Sequence, residues 1–554
     1  MEIEQQEQPG PLPGEQPNFR LSANLLCHLT LFIMVVLMLV TSNPIFAFAL
    51  LILYVSVLYT WEKIFRKPWL STEAERNTTY AVVKGQTFQR ASLCKFIFGS
   101  YLLLAFTSTP LTQIVSLKII GVEPNGYVTF SYNLLGSTMI LLLAIFVVDC
   151  LDFARLGYLR VRKGKGNAAG TATAEGVGTE GQDAQVRAVE QRKSFGVGGC
   201  YVLFTLLSLA NGYDEGKTVR VDVYLKQLPP CLDGFKVAVF SDLHAGPLIG
   251  KKEIARQVDL MNEESPDIAI LSGDMADGPP ADVGPALYPI SRDLKTKFGI
   301  FFATGNHEYL HGGSGTGWET FWKQEGVVPL HNNRTTVPST PYSPSCNDTF
   351  DLIGVPDLGH SPQLKEALRG TSSSRARVLI AHQPLQIEEA AKEKISLQIS
   401  GHTHAGHLYV HGIFLCRSFV CVLTSCCLLV VVVLVRFPLH IGIWLANKGY
   451  FAGLSRLQST QVYISEGTVG WGPRTRLFSF NERTLLTLRS GNKEATGDLY
   501  RPSAGIGVVL SAVVVVLQLA CCFLVVCLPG LRKIATSGRA MCVQKKKKGG
   551  RAQA

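Results

Sequence analysis

The stretch Val237-Ala-Val-Phe-Ser-Asp-Leu-His244 decides the fold, because a short apolar run ends there in an aspartate and a histidine. Short apolar runs bounded by glycine and polar residues are typical of buried strands in an α/β sheet. Sites assemble in the loops at the carboxyl ends of such strands. This stretch therefore predicts a buried strand whose end presents Asp242 and His244 to a functional site.

Four stretches downstream have the same form, an apolar run that ends in potential metal ligands. They end in Gly273-Asp274, Gly305-Asn306-His307-Glu308, Ala381-His382 and Gly401-His402-Thr403-His404. One Asp-x-His pair is weak evidence, whereas five such strand ends in succession are a strong signal. The candidate ligands are Asp242, His244, Asp274, Asn306, His382, His402 and His404. Oxygen and imidazole ligands without thiolate suit Zn, Mn or Fe, and two ions about 3.5–4 Å apart can clamp an in-line displacement at phosphorus.

These motifs resemble the full signature of the calcineurin-like metallophosphoesterases. The flanking stretches 228–242, 401–406 and 467–476 resemble a membrane-tethered branch of that family. The resemblance covers residues 219–488 and implies an α/β fold, a layered sandwich of two β-sheets flanked by helices. A helical transmembrane region is expected before it. The implied activity is metal-dependent hydrolysis of a phosphomonoester, phosphodiester or pyrophosphate.

The resemblance also implies the roles of the site residues. One metal ion would take Asp242, His244, Asp274 and His404, and the other would take Asp274, Asn306, His382 and His402. Asp274 would then bridge two divalent ions, and a metal-bridging hydroxide would attack phosphorus. His307 matches the family's non-ligand catalytic histidine, which stabilises transition-state charge or protonates the leaving oxygen. Glu308 is expected to be a structural partner of the ligands rather than a catalyst.

Two arginines form a further candidate site in the turn Trp471-Gly-Pro-Arg474-Thr-Arg476. Arginine binds phosphate bidentately, so Arg474 and Arg476 are candidates for holding the substrate phosphate. A purely structural role in the turn is an equal alternative.

The composition indicates membrane segments, because 47% of the 554 residues are hydrophobic and only 17% are charged. Residues 1–20 are polar and predict a disordered N-terminus. The candidate spans are 21–40, 44–61, 96–117, 134–151, 195–210 and 504–528. The span 195–210 is the shortest, and a buried or interfacial helix is its alternative. The glycine- and alanine-rich stretch 152–194 predicts a flexible linker.

Basic residues predict the orientation of the chain in the membrane. Lysine and arginine cluster in the loops 63–95 and 152–194 and in the tail 529–554, and such clusters mark the cytoplasmic side. A multi-pass region over residues 21–211 then delivers the catalytic domain to the lumenal or extracellular side. Sequons at Asn333 and Asn347 agree with that side. Cys231 and Cys346 could pair there if the compartment is oxidising.

The expected partners are a phosphate-ester substrate and the lipid bilayer. Tethering to a membrane favours a lipid-linked phosphate as the substrate. Nucleic acid is not expected, because the net charge of +11 comes from loops beside apolar segments and from the tail. The alternative function is a membrane receptor or transporter with a catalytically silent domain. The complete set of metal ligands argues against this alternative.

An apolar insert, residues 407–436, interrupts the family pattern and contains Leu428-Leu-Val-Val-Val-Val-Leu-Val435. A membrane span here would separate residues 437–488 from the ligands His402 and His404. The abundant Leu, Val, Phe, Ser and Cys can all be encoded by pyrimidine-rich codons, as in the tract before a splice acceptor. We therefore hypothesise that residues 407–436 are translated intron. A native insert should instead form a lipid-facing hairpin or a surface loop.

Overall fold

The computed structural model describes residues 122–138, 140, 141, 144, 148, 179–406, 450–477 and 479–491. Several sequence predictions lie outside the described residues. These are the N-terminus 1–20, the candidate spans 21–40, 44–61, 96–117 and 504–528, the insert 407–436 and the tail 529–554.

The described residues form two six-stranded sheets. In chain order the strands are β1 (Lys217–Leu225), β2 (Phe235–Phe240), β3 (Ile268–Leu271), β4 (Ile300–Phe302), β5 (Val328–Pro329), β6 (Asn333–Val337), β7 (Phe350–Gly354), β8 (Arg377–Ile380), β9 (Leu397–Ser400), β10 (Gly453–Leu457), β11 (Thr460–Ile464) and β12 (Glu482–Ser490). The first sheet has the order β1-β12-β2-β3-β4-β5, and the second has the order β10-β11-β9-β8-β7-β6. The residues described from 126 to 148 are helical, and the helices that follow them are α1 (Thr179–Tyr213), α2 (Lys251–Asn262), α3 (Pro280–Arg292), α4 (Gly315–Gln324), α5 (Leu364–Ala367) and α6 (Ile387–Lys392).

Strand β2 shows why the layers stack as they do. Successive side chains of a strand point to opposite faces, and both faces of β2 are apolar. Val237 and Val239 pack into the core between the two sheets. Ala238 and Phe240 pack into the core beneath α2 and α3. The two sheets flanked by helices confirm the predicted sandwich, whose first strand β1 begins at Lys217 and whose last strand β12 ends at Ser490.

The sheet directions bring the predicted ligand loops to one edge. Strands β2, β3 and β4 are parallel neighbours in the first sheet. Strands β7, β8 and β9 are parallel neighbours in the second sheet. The loops that follow parallel strands lie at the same edge of a sheet. Each of the five ligand motifs therefore follows a strand at a carboxyl edge.

Helix α1 begins earlier than the sequence analysis predicted. The flexible linker proposed for 152–194 is wrong for its last part, because Thr179 to Ser194 is helical. Glutamate, glutamine, arginine and alanine are abundant there, and their high helix propensity outweighs the cost of the one glycine, Gly181. Within the described residues, Phe195–Tyr213 is the helical stretch that is long and apolar enough to cross a membrane.

The candidate spans at 195–210 and 134–151 pack against each other. The residues described from 134 to 148 are helical, and Leu141 and Ala144 pack against Val197 of α1. Leu203 and Leu206 of α1 nevertheless remain 54% and 63% exposed. A helix buried in a soluble core would not leave large apolar side chains in solvent, so the exposure of α1 argues against the buried-helix alternative.

Residues beyond the insert return to both sheets of the domain. Strand β11 pairs with β9, which lies before the insert, and β12 pairs with β1 and β2. The segments on either side of residues 407–449 therefore belong to one folded unit on one side of any membrane.

Candidate metal centre

The backbone is strained at the ligand loops. Asp242, His244, Asp274, His402 and His404 all adopt positive φ values, from 47° to 70°. Left-handed conformations cost non-glycine residues of order 1 kcal/mol or more and cluster at functional sites. Five of the seven predicted ligands thus share an unfavourable backbone conformation, and the chain changes direction at each of them just after a strand ends.

Two glycines permit the close approach of these loops. A Cβ atom on Gly401 would collide with the Ser241 hydroxyl and the Asp242 carboxylate. A Cβ atom on Gly305 would collide with the Asp274 carboxylate. The loops after β2, β3, β4 and β9 can therefore meet only where glycine stands beside the aspartates.

A first group of candidate ligand atoms comes from Asp242, His244 and His404, all buried. The Nε2 atoms of His244 and His404 lie 3.1 Å apart. The His404 Nε2 atom lies 3.4 Å from Asp242 Oδ1. Ligand atoms held at about 2.1 Å in tetrahedral geometry are about 3.4 Å apart, so this spacing suits a single metal ion.

A second group comes from Asp274, His382 and His402. The His382 Nε2 atom lies 3.0 Å from Asp274 Oδ2. Asn306 adjoins this group, since its Oδ1 atom lies 2.9 Å from His402 Nδ1. The structure thus brings all seven predicted ligands together.

Asp274 lies between the two groups. Its Oδ2 atom is 3.0 Å from His382 Nε2 and 3.9 Å from His244 Nε2. Burial raises the pKa of Asp274, but the positive charges of His382 and His307 lower it more, so the net pKa lies well below its usual value. This carboxylate is therefore ionised and within reach of both groups.

The donor set fits divalent metal ions. Burial lowers the pKa of His382, but the Asp274 carboxylate raises it to about 10. The cavity thus favours positive charge, and a divalent cation would supply it in place of this proton. Buried carboxylates and imidazoles that converge without thiolate are ligands for Zn, Mn or Fe.

Comparisons with known proteins agree with this geometry. Residues 235–406 match the model of the calcineurin-like phosphoesterases. The chain carries a calcineurin-like phosphoesterase domain. It is similar to proteins described as transmembrane protein with metallophosphoesterase domain. The Danio rerio protein is 29% identical over 405 residues, which cover 71% of this chain and 78% of the relative. The Bos taurus protein is 28% identical over 409 residues, which cover 72% and 81%.

Among solved structures, the chain matches a 5'-nucleotidase precursor of Thermus thermophilus. The TM-score is 0.22 and the identity is 17%, over 31% of this chain and 42% of that chain. The resemblance named from the motifs is confirmed by the family match and by the named relatives.

Asp277 belongs to the centre of the phosphoesterase domain, and the sequence analysis missed it. Its Oδ1 atom accepts hydrogen bonds from His244 Nδ1 at 2.9 Å and from His307 Nδ1 at 2.6 Å. Burial raises the pKa of Asp277, but the charges of His244 and His307 lower it by more than burial raises it, so the pKa lies well below its ordinary value. The only sequence signal was a carboxylate three residues after Asp274.

His307 lies beside the first group of ligands. Its ring centroid is 4.5 Å from that of His244. Burial lowers the pKa of His307, but Asp274 and Asp277 raise it to about 9. His307 therefore carries a proton at neutral pH.

Glu308 connects two ligand loops, in agreement with the structural role predicted for it. Its buried carboxylate accepts backbone hydrogen bonds from Asp274 at 2.9 Å, Met275 at 2.7 Å and Gly305 at 2.6 Å. Burial is the main reason that the pKa of Glu308 rises to about 7.

The two candidate arginines are engaged by protein groups. Arg474 donates to Glu253 at 2.7 and 2.5 Å and to the Gly212 carbonyl oxygen at 3.2 and 3.1 Å. Arg476 is fully buried and donates to the Val469 carbonyl oxygen at 3.0 Å. These contacts favour the structural alternative, so neither arginine enters our proposal as a phosphate ligand.

Trp471, in the same turn, is a second residue that sequence reasoning missed. Its ring centroid lies 5.0 Å from that of His307, 5.6 Å from that of His244 and 6.3 Å from that of His404. An indole thus forms one wall of the centre, from a position far along the chain.

Proposed function

We propose that the protein is a membrane-anchored phosphoesterase that uses two divalent metal ions to hydrolyse a phosphomonoester, phosphodiester or pyrophosphate. The observation that carries the proposal is the position of Asp274. One of its carboxylate oxygens, Oδ2, lies within 4 Å of a histidine from each ligand group.

The residues divide between two metal positions. Asp242, His244, Asp274 and His404 would hold one ion, and Asp274, Asn306, His382 and His402 would hold the other. Two divalent ions held by these residues would supply an activated water and would stabilise both oxygens of an in-line displacement. The strained backbone at five of these residues supports the assignment, because such strain persists where a site requires it.

His307 is assigned the role of proton donor. Its bond to Asp277 at 2.6 Å holds the ring in place and favours the charged form. The charged ring stabilises negative charge on the phosphoryl group and gives its proton to the leaving oxygen. Asp277 positions both this ring and the His244 ring.

Two observations support a membrane-anchored domain in an oxidising compartment. Helix α1 leads into the domain and contains the apolar stretch Phe195–Tyr213, and the similar vertebrate proteins are described as transmembrane. Cys231 and Cys346 form a disulfide that joins positions 115 residues apart. Disulfides persist in the lumenal and extracellular compartments and are rare in the cytosol, so we propose that the domain faces one of these.

Metal analysis and hydrolysis of p-nitrophenyl phosphate and bis-p-nitrophenyl phosphate test this function in the full chain. Asp274→Asn should lose turnover and metal together, because the Asp274 carboxylate lies within 4 Å of a histidine from each ligand group. His307→Ala should retain metal while turnover falls about 10²- to 10⁴-fold, the usual contribution of a general acid. Purified wild-type protein that hydrolyses neither ester, or that holds no metal, would contradict the proposal.

A further inference from the structure

Helix α1 enters the domain at the edge that carries the metal ligands. Strand β1 is parallel to β12, and β12 is antiparallel to β2. The start of β1 therefore lies at the edge where β2 ends. Glu482 pairs with Lys217, and Thr484 pairs with Val239, which places Lys217 level with the residue before Asp242. Since β1 and β2 are two strands apart, their separation is about 10 Å.

Hydrogen bonds hold the end of α1 against this edge. The Arg476 backbone N–H donates to the Ser208 carbonyl oxygen at 2.9 Å. The Arg474 side chain reaches both the Gly212 carbonyl oxygen and the Glu253 carboxylate. Asn481 Nδ2 donates to the Asp214 carbonyl oxygen at 2.7 Å. The helix therefore has a defined position relative to the metal centre rather than a loose tether.

One turn, residues 471–476, contacts both the metal centre and the apolar helix. At its start, the Trp471 ring packs against the rings of His244, His307 and His404. At its end, Arg474 and Arg476 bind the last turns of α1. Only the width of this turn separates the candidate centre from the end of the helix.

Exposed apolar residues occur on α1, in the segment before it and in two loops at the ligand edge. On α1 they are Phe195, Val202, Leu203, Leu206, Leu207 and Tyr213, and in the adjoining segment they are Val122, Tyr127 and Phe130. Leu310 and Leu358 are also exposed, in the loops that follow β4 and β7 at the ligand edge. Val328 on β5 is the other exposed large hydrophobic residue in the described part of the chain.

We infer that the metal centre faces the bilayer and that its substrate is a membrane-resident lipid phosphate ester. This inference rests on the proposed function. The phosphate group of the lipid reaches the metal ligands while its hydrocarbon chains stay in the bilayer beside α1. Water adds its oxygen to phosphorus, the bond from phosphorus to the leaving oxygen breaks, and that oxygen takes a proton.

Trp471 is the specificity-determining residue in this arrangement. Its indole combines a large apolar surface with a polar N–H, a combination that suits the interface between bilayer and water. It lies beside His307, the proposed proton donor, and therefore next to the position of the leaving group. We expect it to contact the apolar part of the substrate nearest to phosphorus.

A depth measurement tests the placement without knowledge of the substrate. Leu310→Cys is compared with Lys295→Cys, because Lys295 is also exposed but precedes β4 and therefore lies at the opposite edge of the sheet. Each single-site variant of the full chain is labelled with a fluorophore in phosphatidylcholine nanodiscs that contain doxyl-labelled lipid, after the reactivity of the native cysteines has been subtracted. The label at position 310 should be quenched at least threefold more than the label at position 295. Equal quenching would overturn the placement.

Matched substrates then test the lipid preference. If the aryl esters show a monoesterase, dioleoyl phosphatidic acid is compared with glycerol 3-phosphate. If they show a diesterase, hexadecyl p-nitrophenyl phosphate is compared with methyl p-nitrophenyl phosphate. The long-chain ester should have at least a 100-fold higher kcat/KM. Trp471→Ala should lower that ratio at least tenfold, and Trp471→Phe should restore most of it.

The outcomes separate the two proposals. Hydrolysis of aryl esters without a long-chain preference would overturn the inference and leave the proposed function standing. A ratio that Trp471→Ala leaves unchanged would remove Trp471 as the specificity determinant. No hydrolysis of any ester by metal-loaded protein would count against the proposed function itself.

Discussion

Replacing Asp277 by asparagine tests how far the centre depends on a residue outside the predicted ligand set. One carboxylate oxygen, Oδ1, accepts from the Nδ1 atoms of both His244 and His307. Asparagine can place a neutral carbonyl oxygen at the same position, so both bonds can persist without the charge. The substitution therefore isolates the electrostatic part of the contact.

The expected loss follows from these two hydrogen bonds. A bond to a charged acceptor contributes about 1.5–3 kcal/mol and a neutral one about 0.5–1.5 kcal/mol. Each bond thus loses about 1 kcal/mol, and the pair loses about 2 kcal/mol, which corresponds to roughly 30-fold. That figure lies within the 10- to 100-fold effect typical of carboxylates that orient metal-binding histidines. We expect the loss in metal affinity, through His244, and in turnover, through His307.

Equilibrium dialysis with Mn²⁺ and Zn²⁺ measures the affinity, and the pH profile of kcat/KM for p-nitrophenyl phosphate measures the role of the proton. Asp277 helps to raise the pKa of His307 to about 9. Removing that charge lowers this pKa, so the alkaline limb of the profile should move to lower pH.

The control is Asp351→Asn. Asp351 is a buried carboxylate at the start of β7, away from the ligand edge, and it pairs with Arg375 at 3.0 Å. This variant should lose stability and keep its metal affinity and pH profile. If Asp277→Asn changes affinity and turnover by less than twofold, or if its alkaline limb does not move, our account of Asp277 is wrong.

Three further predictions concern the compartment and the insert. Mass spectrometry should recover the Cys231–Cys346 disulfide, and replacing both cysteines by alanine should lower the free energy of unfolding by about 2–5 kcal/mol; recovery of two free thiols would contradict this. Asn333 and Asn347 are exposed, and one or both should carry a glycan that glycosidase treatment removes; cleavage of the domain by protease from the cytoplasmic side alone would refute the orientation. Transcript sequencing should join codon 406 almost directly to codon 437, whereas active enzyme made from a dominant message containing 407–436 would exclude the intron hypothesis. If the insert is native, its deletion should leave metal loading unchanged.

The sequence by itself determined the five strands that precede the ligand loops, the α/β class and the types of metal ligand. Apolar runs such as Val237–Phe240 form strands that are buried on both faces, because successive side chains of a strand point to opposite faces and all of these side chains are apolar. Ligands such as Asp242 and His382 could be recognised because each directly follows such a run. These signals are local, since the strand and the residue at its end are neighbours in the chain.

Tertiary structure alone decided which residues share the centre beyond those strand ends. Asp277 accepts from His244 and His307 because the loops after β2, β3 and β4 fold together at one edge. Trp471 reaches the same rings from a turn more than 160 residues after His307, and no local pattern encodes that distance. The hydrophobic periodicity of the sequence also could not show that α1 meets the ligand edge. The position of β1 depends on its pairing with β12, which is the last strand in chain order. Contacts between distant segments form only when the chain folds around its two sheets, and they decide where the candidate site lies relative to α1.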